Sequence, residues 1–157
     1  MRMGRHVVAA MLAVLLLRSL TVGAVELVGM DHFAINVHDV KRSADWYQNV
    51  LGFTVLHKWD NAWMVGRGNI KIGLFISPNA KPVTDPNNTL AIRKIAFLVD
   101  GDKFVPLINE LKSKGITVSA PEDTGIAYSV FIHDPDGYLL EFTTFHGDGP
   151  PPGLPQQ

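Results

Sequence analysis

The side chains available for chemistry are limited by the complete absence of cysteine from the chain. That absence excludes a disulfide framework, a thiolate zinc site, an iron–sulfur cluster and a thiol nucleophile. Any reaction must therefore use histidine, carboxylate, lysine or hydroxyl side chains, or a metal ion held by such groups. We single out His32, Lys94 and Glu141 as candidate functional residues, because the alternation of their predicted strands turns each of them away from the apolar core.

Strand alternation turns these three side chains to the same face of a predicted sheet. The apolar residues of their strands form the opposite face: Phe33, Ile35 and Val37, then Ile95, Phe97 and Val99, then Leu140 and Phe142. Because successive strand residues point to opposite faces, His32, Lys94 and Glu141 should lie on the side that no helix covers. We expect them to converge on one concave surface.

Two further side chains are placed by the expected pairing of the last two strands. Tyr128 should share a face with Thr143, which makes it a candidate ligand-binding residue. His133, just before a tight turn, should lie on the face opposite Glu141 and is therefore a poor replacement ligand.

The elements that carry these residues occur twice along the chain. The first unit has a strand, a helix and a strand, at 32–37, 40–51 and 53–57. The second repeats this order at 94–99, at 103–114 with Asp102 as the helix cap, and from 116 onward. Each unit continues with a hairpin, at 62–77 and 127–144. The sequence therefore predicts an α+β fold of two tandem βαβββ modules, which form an open, curved eight-stranded sheet, or cup, with helices on its convex face.

The N-terminal segment differs from this repeated part. Arg2 and Arg5 precede an unbroken apolar run at 7–17, and small residues end at Ala24, which is the pattern of a cleavable signal peptide over 1–24. The run is too short for a hydrocarbon core of ~30 Å, which needs about 20 residues. We therefore expect an exported protein, periplasmic or secreted, with cleavage near Ala24 and no stable membrane anchor.

The rest of the chain is predicted to be one domain at 26–146, with modules at about 30–78 and 92–146. The proline- and glycine-rich residues 147–157 predict a disordered tail. A hydrophobic content of 46% is enough for one packed core, and a net charge of −1 without a basic tract argues against nucleic-acid binding.

Three segments carry a family signature: MDHFAINVHDVKRSADWYQNVLGFTV, IRKIAFLVD and SVFIHDPDGYLLEF. Together they resemble the vicinal oxygen chelate superfamily, which includes glyoxalase I, bleomycin- and fosfomycin-resistance proteins and extradiol dioxygenases. The resemblance implies a divalent metal held by a histidine that opens each module, a glutamate in the last strand and often a glutamate in the fourth strand. It makes His32 and Glu141 candidate metal ligands, with Glu141 also the catalytic candidate. It further implies a small-molecule ligand and a homodimer.

The sequence departs from that pattern at two of the four positions, where Lys94 replaces the second histidine and Gly73 replaces the glutamate. A lysine side chain is an ammonium at neutral pH. At about 5 Å from a divalent ion it is repelled by roughly 6–7 kcal/mol at an effective dielectric constant of 20. The same ammonium attracts Glu141, so that Lys94 can replace part of the metal's charge and hold an anionic or enolic ligand. We expect only weak binding of nickel, zinc, manganese or iron, and standard glyoxalase I activity is disfavoured.

Three functions stay open on this reasoning. The first is a protein that binds a small oxygen-bearing anionic or aromatic compound, with or without transforming it. The second is a sequestering module without turnover, similar to the resistance proteins. The third is a metal-dependent lyase or dioxygenase that completes its site across a dimer. A purely structural role is an alternative to all three functions. Lys94 and Glu141 can be a buried structural ion pair, and His32 can be a hydrogen-bonded core histidine.

Overall fold

The computed structural model describes residues 29–85, 87–147 and 149–154, so the predicted signal peptide lies outside the described residues. These residues form the elements β1 (Phe33–Val37), α1 (Val40–Leu51), β2 (Thr54–Lys58), β3 (Ala62–Arg67), β4 (Ile70–Ile76), β5 (Ile95–Leu98), α2 (Gly101–Ser113), β6 (Glu122–Asp123), β7 (Ala127–His133) and β8 (Leu139–Phe145). Neither helix of this described part is long and apolar enough to cross a bilayer.

The strands are hydrogen-bonded into two four-stranded sheets, one in each module, with the orders β1-β4-β3-β2 and β5-β8-β7-β6. In each sheet the first strand of the module lies parallel to the last, and the other pairs are antiparallel. The prediction of an α+β fold built from two βαβββ modules is confirmed. The register also matches between modules, because Ala34 pairs with Gly73 and Ala96 pairs with Glu141.

The helix-covered faces of the two sheets share one hydrophobic core. Its largest wholly buried side chains include Tyr47 of α1 and Phe104 of α2. A row of edge-to-face and stacked rings crosses from one module to the other: Tyr47 to Phe53 at 5.6 Å, Phe53 to Phe97 at 6.4 Å, and Phe97 to Phe142 at 5.7 Å between centroids. Such aromatic contacts add to the free energy of burial, and they hold the two modules together.

The first module begins and ends its helix as the sequence predicts. The Asp39 carboxylate accepts a hydrogen bond from the backbone N–H of Arg42, which caps the start of α1. Gly52 ends α1 in the left-handed conformation, with φ 69°, where a side chain would be strained.

Two elements of the second module differ from the prediction. α2 begins at Gly101 after Asp100, whereas the carboxylate of Asp102 pairs with the adjacent Lys103 at 2.7 Å instead of capping the helix. The strand expected from 116 onward is replaced by the short β6 at Glu122–Asp123. Before β6, the chain is joined to β7 by a backbone hydrogen bond at Ser119, whose amide donates to the Phe131 carbonyl at 3.0 Å.

In the predicted tail, the described residues 149–154 lie against the domain. Pro151 is buried and Leu154 packs against the hydrophobic core. The Leu154 amide donates to the Pro151 carbonyl at 3.0 Å, which closes a turn over α2 near Val105. Proline has little backbone freedom to lose, so docking this segment costs less entropy than docking an ordinary tail would.

Candidate functional site

Lys94 and Glu141 form an ion pair on the face of the second sheet that no helix covers. Nζ of Lys94 lies 2.8 Å from Oε2 of Glu141. The carboxylate is buried, with 7% of its side chain exposed, whereas the lysine side chain is 45% exposed. The pairing of β5 with β8 produces this contact, because Ala96 lies opposite Glu141 and Lys94 is two residues earlier on the same face. The predicted juxtaposition of these two residues is therefore present.

Other side chains around this ion pair come from β7 and β8. Phe131 pairs directly with Glu141, and its ring centroid lies 5.4 Å from Nζ of Lys94. One step along the strands, the Ser129 hydroxyl donates to the Thr143 hydroxyl at 3.1 Å. The open face thus presents a cation, a carboxylate, an aromatic ring and two hydroxyl groups side by side, which sequence reasoning found only in part.

His32 belongs to a different group of charges, in the first module. Its Nδ1 lies 2.7 Å from Oδ2 of Asp31, and the other oxygen of Asp31 is paired with Lys71. These hydrogen bonds hold the pKa of Asp31 below its usual range, the one from Lys71 most strongly and that from His32 next. In the part of the chain that the structure describes, no hydrogen bond or ion pair joins His32 to Lys94 or Glu141.

Gly73 occupies the position of the fourth ligand that the resemblance implies. It pairs with Ala34 just as Glu141 pairs with Ala96, so the two positions are equivalent in the two modules. A Cβ atom added at Gly73 would lie 3.2 Å from the ring of Phe75 and 3.5 Å from Cβ of Ala34. The ring therefore crowds the space in which a carboxylate side chain would begin.

These residues do not fit the metal site of the family pattern. Among the described residues, no three histidine, aspartate or glutamate side chains are grouped closely enough to hold a metal ion. An ammonium occupies one oxygen of Glu141, and Gly73 supplies no donor. His32 and Glu141 belong to separate sheets. Two donors and an adjacent cation make a poor set for a divalent ion.

The register of β7 and β8 corrects the predicted faces of Tyr128 and His133. Tyr128 pairs with Thr144, not with Thr143, and it packs against the core on the helix-covered face, with its ring 4.5 Å from the ring of His146. The predicted face shared with Thr143, on which the place of Tyr128 in the ligand site was based, is therefore wrong. His133 pairs with Leu139 and so shares the face of Glu141, which is the reverse of the prediction.

The shift arises because the connection between β7 and β8 includes Tyr138. The Tyr138 amide donates to Oδ1 of Asp134 at 2.8 Å, and its carbonyl accepts from the Asp134 amide at 3.1 Å. β8 consequently begins at Leu139, one residue later than expected. A shift of one residue moves every side chain of the partner strand to the other face.

The turn at Asp134–Gly137 also joins the two modules, which the sequence did not indicate. Asp136 accepts hydrogen bonds from the His38 amide at 2.9 Å, from Nδ1 of His38 at 2.8 Å, from Nη2 of Arg42 at 2.6 Å and from the Ser43 hydroxyl. Burial by itself opposes the charged form, but the donors from His38 and Ser43 hold the pKa of Asp136 below its usual range. This carboxylate of the second module therefore anchors the start of α1 in the first.

A second contact of the same turn is buried more deeply. Asp134 accepts a hydrogen bond from the Tyr47 hydroxyl at 2.8 Å. Burial raises the pKa of both groups, and in Tyr47 the neighbouring carboxylate adds to the effect. The Tyr138 hydroxyl meanwhile bonds the backbone N–H and carbonyl of Asn36, at 3.1 Å each. Three residues of the connection between β7 and β8, namely Asp134, Asp136 and Tyr138, thus fix the end of β1 and the start and middle of α1.

Comparison with known proteins gives the same domain over both modules. The sequence model of the Glyoxalase/Bleomycin resistance protein/Dioxygenase superfamily matches residues 29–142. A "Glyoxylase I 4" of Arabidopsis thaliana is 26% identical over 133 residues, which cover 73% of this chain and 70% of that protein. Glutathione transferase FosA of Serratia marcescens is 26% identical over 112 residues, which cover 71% of this chain and 77% of that protein.

A solved structure agrees with the sequence comparison. The crystal structure of a glyoxalase family protein from Enterococcus faecalis superposes on this chain with a TM-score of 0.66 at 25% identity. The superposition covers 73% of this chain and 96% of that protein, so nearly the whole of the solved domain has a counterpart here.

Proposed function

The chain belongs to the Glyoxalase/Bleomycin resistance protein/Dioxygenase superfamily, and we propose that it binds a small oxygen-bearing anionic or aromatic compound beside Lys94 and Glu141. The observation that carries this proposal is the half-exposed ammonium of Lys94, held 2.8 Å from a buried carboxylate on an open sheet face. The site works with a protein cation in the position where the family pattern has a metal ligand.

The chemistry of the ion pair selects the ligand. An ammonium has three N–H donors, and Glu141 accepts from Lys94 on one side only, which leaves donors for a carboxylate or enolate oxygen. Hydrogen bonds of this kind, with charge on both partners, are roughly twice as strong as neutral ones. The ring of Phe131 offers an apolar surface to the remainder of the molecule.

Turnover distinguishes two versions of this proposal. With turnover, Glu141 acts as general base and Lys94 stabilises the negative charge that develops on the ligand oxygen. Without it, the protein sequesters the compound. The ion pair favours sequestration, because one oxygen of the Glu141 carboxylate is already occupied by the ammonium of Lys94.

We propose that a second copy of the chain covers the open faces of the sheets. These faces expose large apolar side chains, among them Phe75 in the first module and Leu98 and Phe145 in the second, at 43%, 66% and 61%. A homodimer would bury them and remove the open sheet edges. The same pairing supports the metal-dependent alternative, since it could bring His32 of one copy to Glu141 of the other. Sedimentation at micromolar concentration tests it, and a monomer would contradict it.

The protein is further proposed to act outside the cytoplasm. Support comes from the sequence of residues 1–24 alone, where Arg2 and Arg5, the apolar run and the small residues before Val25 follow the pattern of a cleavable signal peptide. A compound reaching the periplasm or the medium would then be the ligand.

The experiment for the binding proposal compares two lysines, each in an ion pair on an open sheet face. Protein is purified as native chain, Lys94→Met and Lys71→Met, and bound small molecules are identified by mass spectrometry after denaturation. Lys71 is the matched control because it pairs with Asp31 in the first module. We expect an acidic or phenolic compound to accompany the native chain and Lys71→Met and to be lost from Lys94→Met. Equal retention by both variants would contradict the proposal.

A further inference from the structure

A cavity of about 250 Å³ lies at the junction of the two modules, apart from the Lys94–Glu141 pair. One wall is the connection between β4 and β5, with Lys81 and Arg93. The other is formed by the end of β1, with Asn36, and by the start of β8, with Leu139. Neither Lys94 nor Glu141 lines it, so a ligand here is independent of the function proposed above.

The charge of this cavity is positive. Asp136 is the carboxylate among its lining residues, and both of its oxygens already accept hydrogen bonds, from His38 and Arg42 at one oxygen and Ser43 at the other. Arg93 donates to the neutral amide oxygen of Asn87. In the described part of the chain, neither Arg93 nor Lys81 has a carboxylate partner. Among the described residues, two cations of the lining thus have no carboxylate partner.

His38 adds a third positive charge to the lining. Its Nδ1 lies 2.8 Å from the Asp136 carboxylate and its Nε2 lies 2.9 Å from the Ala80 carbonyl oxygen. Both partners are acceptors, and a neutral imidazole has a single N–H, so only the imidazolium satisfies both contacts. The hydrogen bond to Ala80 also fixes the connection that forms the outer wall.

The lining also includes exposed apolar side chains. Val83 and Ile92, both in the connection between β4 and β5, are 48% and 60% exposed beside the two cations. Exposed aliphatic side chains next to unpaired cations match a ligand with one anionic end and one hydrocarbon end. The volume is below the roughly 300–1,000 Å³ of sites for drug-sized molecules, which limits the ligand to a small one.

We propose that this cavity binds a small organic carboxylate, with its anionic group at Arg93 and Lys81 and its apolar part against Val83 and Ile92. The planar guanidinium of Arg93 suits the two oxygens of a carboxylate. Lys81 supplies a second positive charge, and the imidazolium of His38 adds to the field behind it.

The test uses benzoate as probe, with benzamide as its neutral analogue and inorganic phosphate as an anion without an apolar part. Binding is followed through the NMR signals of the methyl groups in the full chain. We expect benzoate to shift the methyl signals of Val83 and Ile92 in a saturable way and to leave those of Leu98, beside the other site, unchanged. Benzamide should produce no such shift, and phosphate should bind more weakly than benzoate.

Charge-removing variants then locate the anion. Arg93→Gln and Lys81→Gln should each weaken benzoate binding about tenfold, while Lys112→Gln, an exposed lysine of α2 outside the cavity, should not. All three positions are exposed, so folding should be retained. The proposal is overturned if benzamide shifts the same methyl groups as strongly as benzoate does, if benzoate shifts none of them, or if neither cavity variant weakens binding. If phosphate binds as tightly as benzoate, the site is one for inorganic anions and the proposed ligand class is wrong.

Discussion

Lys94 lies in the second module where His32 lies in the first, two residues before the strand position that pairs with Glu141 in one sheet and with Gly73 in the other. The two modules therefore differ at equivalent points. The first has a histidine and a glycine there, while the second has a lysine and a glutamate. The half-site that remains in the second module is an ion pair, with Nζ 2.8 Å from Oε2.

The stability of variants should reflect the unequal burial of this pair. Lys94→Met leaves the buried carboxylate of Glu141 without its cation, so we expect the free energy of unfolding to fall by about 1–3 kcal/mol. Glu141→Gln leaves a half-exposed ammonium that water can solvate, and the loss should be smaller. Urea unfolding of the two variants at neutral pH measures both values. A larger loss in Glu141→Gln would show that the burial of the carboxylate does not determine the stability of these variants.

Asp136 should be one of the most sensitive surface-loop positions in the chain. Only 1% of its side chain is exposed, and it accepts from Arg42, Ser43 and both donors of His38. We expect Asp136→Asn to lower the free energy of unfolding by about 3 kcal/mol or more, because four donors lose a charged acceptor. Asp45→Asn is the control, since Asp45 forms an exposed pair with Lys41, and exposed ion pairs contribute little to stability. Similar losses in the two variants would mean that Asp136 does not hold the modules together.

The contribution of His38 to stability should decrease as the pH rises. The hydrogen bond to Asp136 chiefly, and that to the Ala80 carbonyl next, raise the pKa of His38 above its ordinary value of 6.5, while Arg42 opposes this. A group whose pKa is raised by folding stabilises fully below its ordinary pKa, and this contribution is lost as the pH passes the raised value.

Comparing the stability of the native chain with that of His38→Gln tests this direction of the pH dependence. The stability difference should be larger at about pH 6 than at about pH 9, where the native imidazole is neutral and only one of its two hydrogen bonds persists. Chemical unfolding at both values gives the difference directly. A difference that grows towards alkaline pH would contradict a protonated His38.

Cleavage of the N-terminal segment has a defined product. Expressed in full, the chain should appear outside the cytoplasm with Val25 as its first residue, since the small residues before Val25 are those that a signal peptidase reads. Intact-mass measurement of the exported fraction identifies the cut. Accumulation in the cytoplasm with Met1 retained would disprove export. As a control, we expect a variant in which Arg2 and Arg5 are changed to Glu to be exported less than the native chain.

The parts of this site that sequence could predict are those fixed by alternation within one strand. The faces of Lys94 and Glu141 follow from their apolar neighbours, and the short parallel pairing of β5 with β8 then brings them into contact. The faces of Tyr128 and His133 depended on the length of the connection between β7 and β8, and Asp134 lengthens it by binding the Tyr138 amide. A local turn pattern does not reveal such a contact.

Contacts between residues far apart in the sequence could not be predicted from local patterns, for a different reason. The Asp-Pro-Asp-Gly segment predicts a turn from its own residues, but the partners of Asp136 lie in α1 and just before it, more than ninety positions earlier. Alternation likewise places His32 on an open face without fixing its distance from the second module. Both depend on how the two modules pack, which is determined by the shared core and not by either strand alone.

Metal titration measures most directly whether Lys94 has replaced a metal ligand. Nickel, zinc, manganese and iron(II) are titrated calorimetrically into the native chain, into Lys94→His and into Lys112→His, whose new histidine lies on the exposed surface of α2. We expect weak binding to the native chain and to the control. Lys94→His should bind at least one of these metals more than tenfold tighter, because even a third of a repulsion of roughly 6–7 kcal/mol exceeds the 1.4 kcal/mol of one decade. Tight, stoichiometric binding by the native chain that Lys94→His does not improve would contradict the assignment of Lys94 as the site's cation.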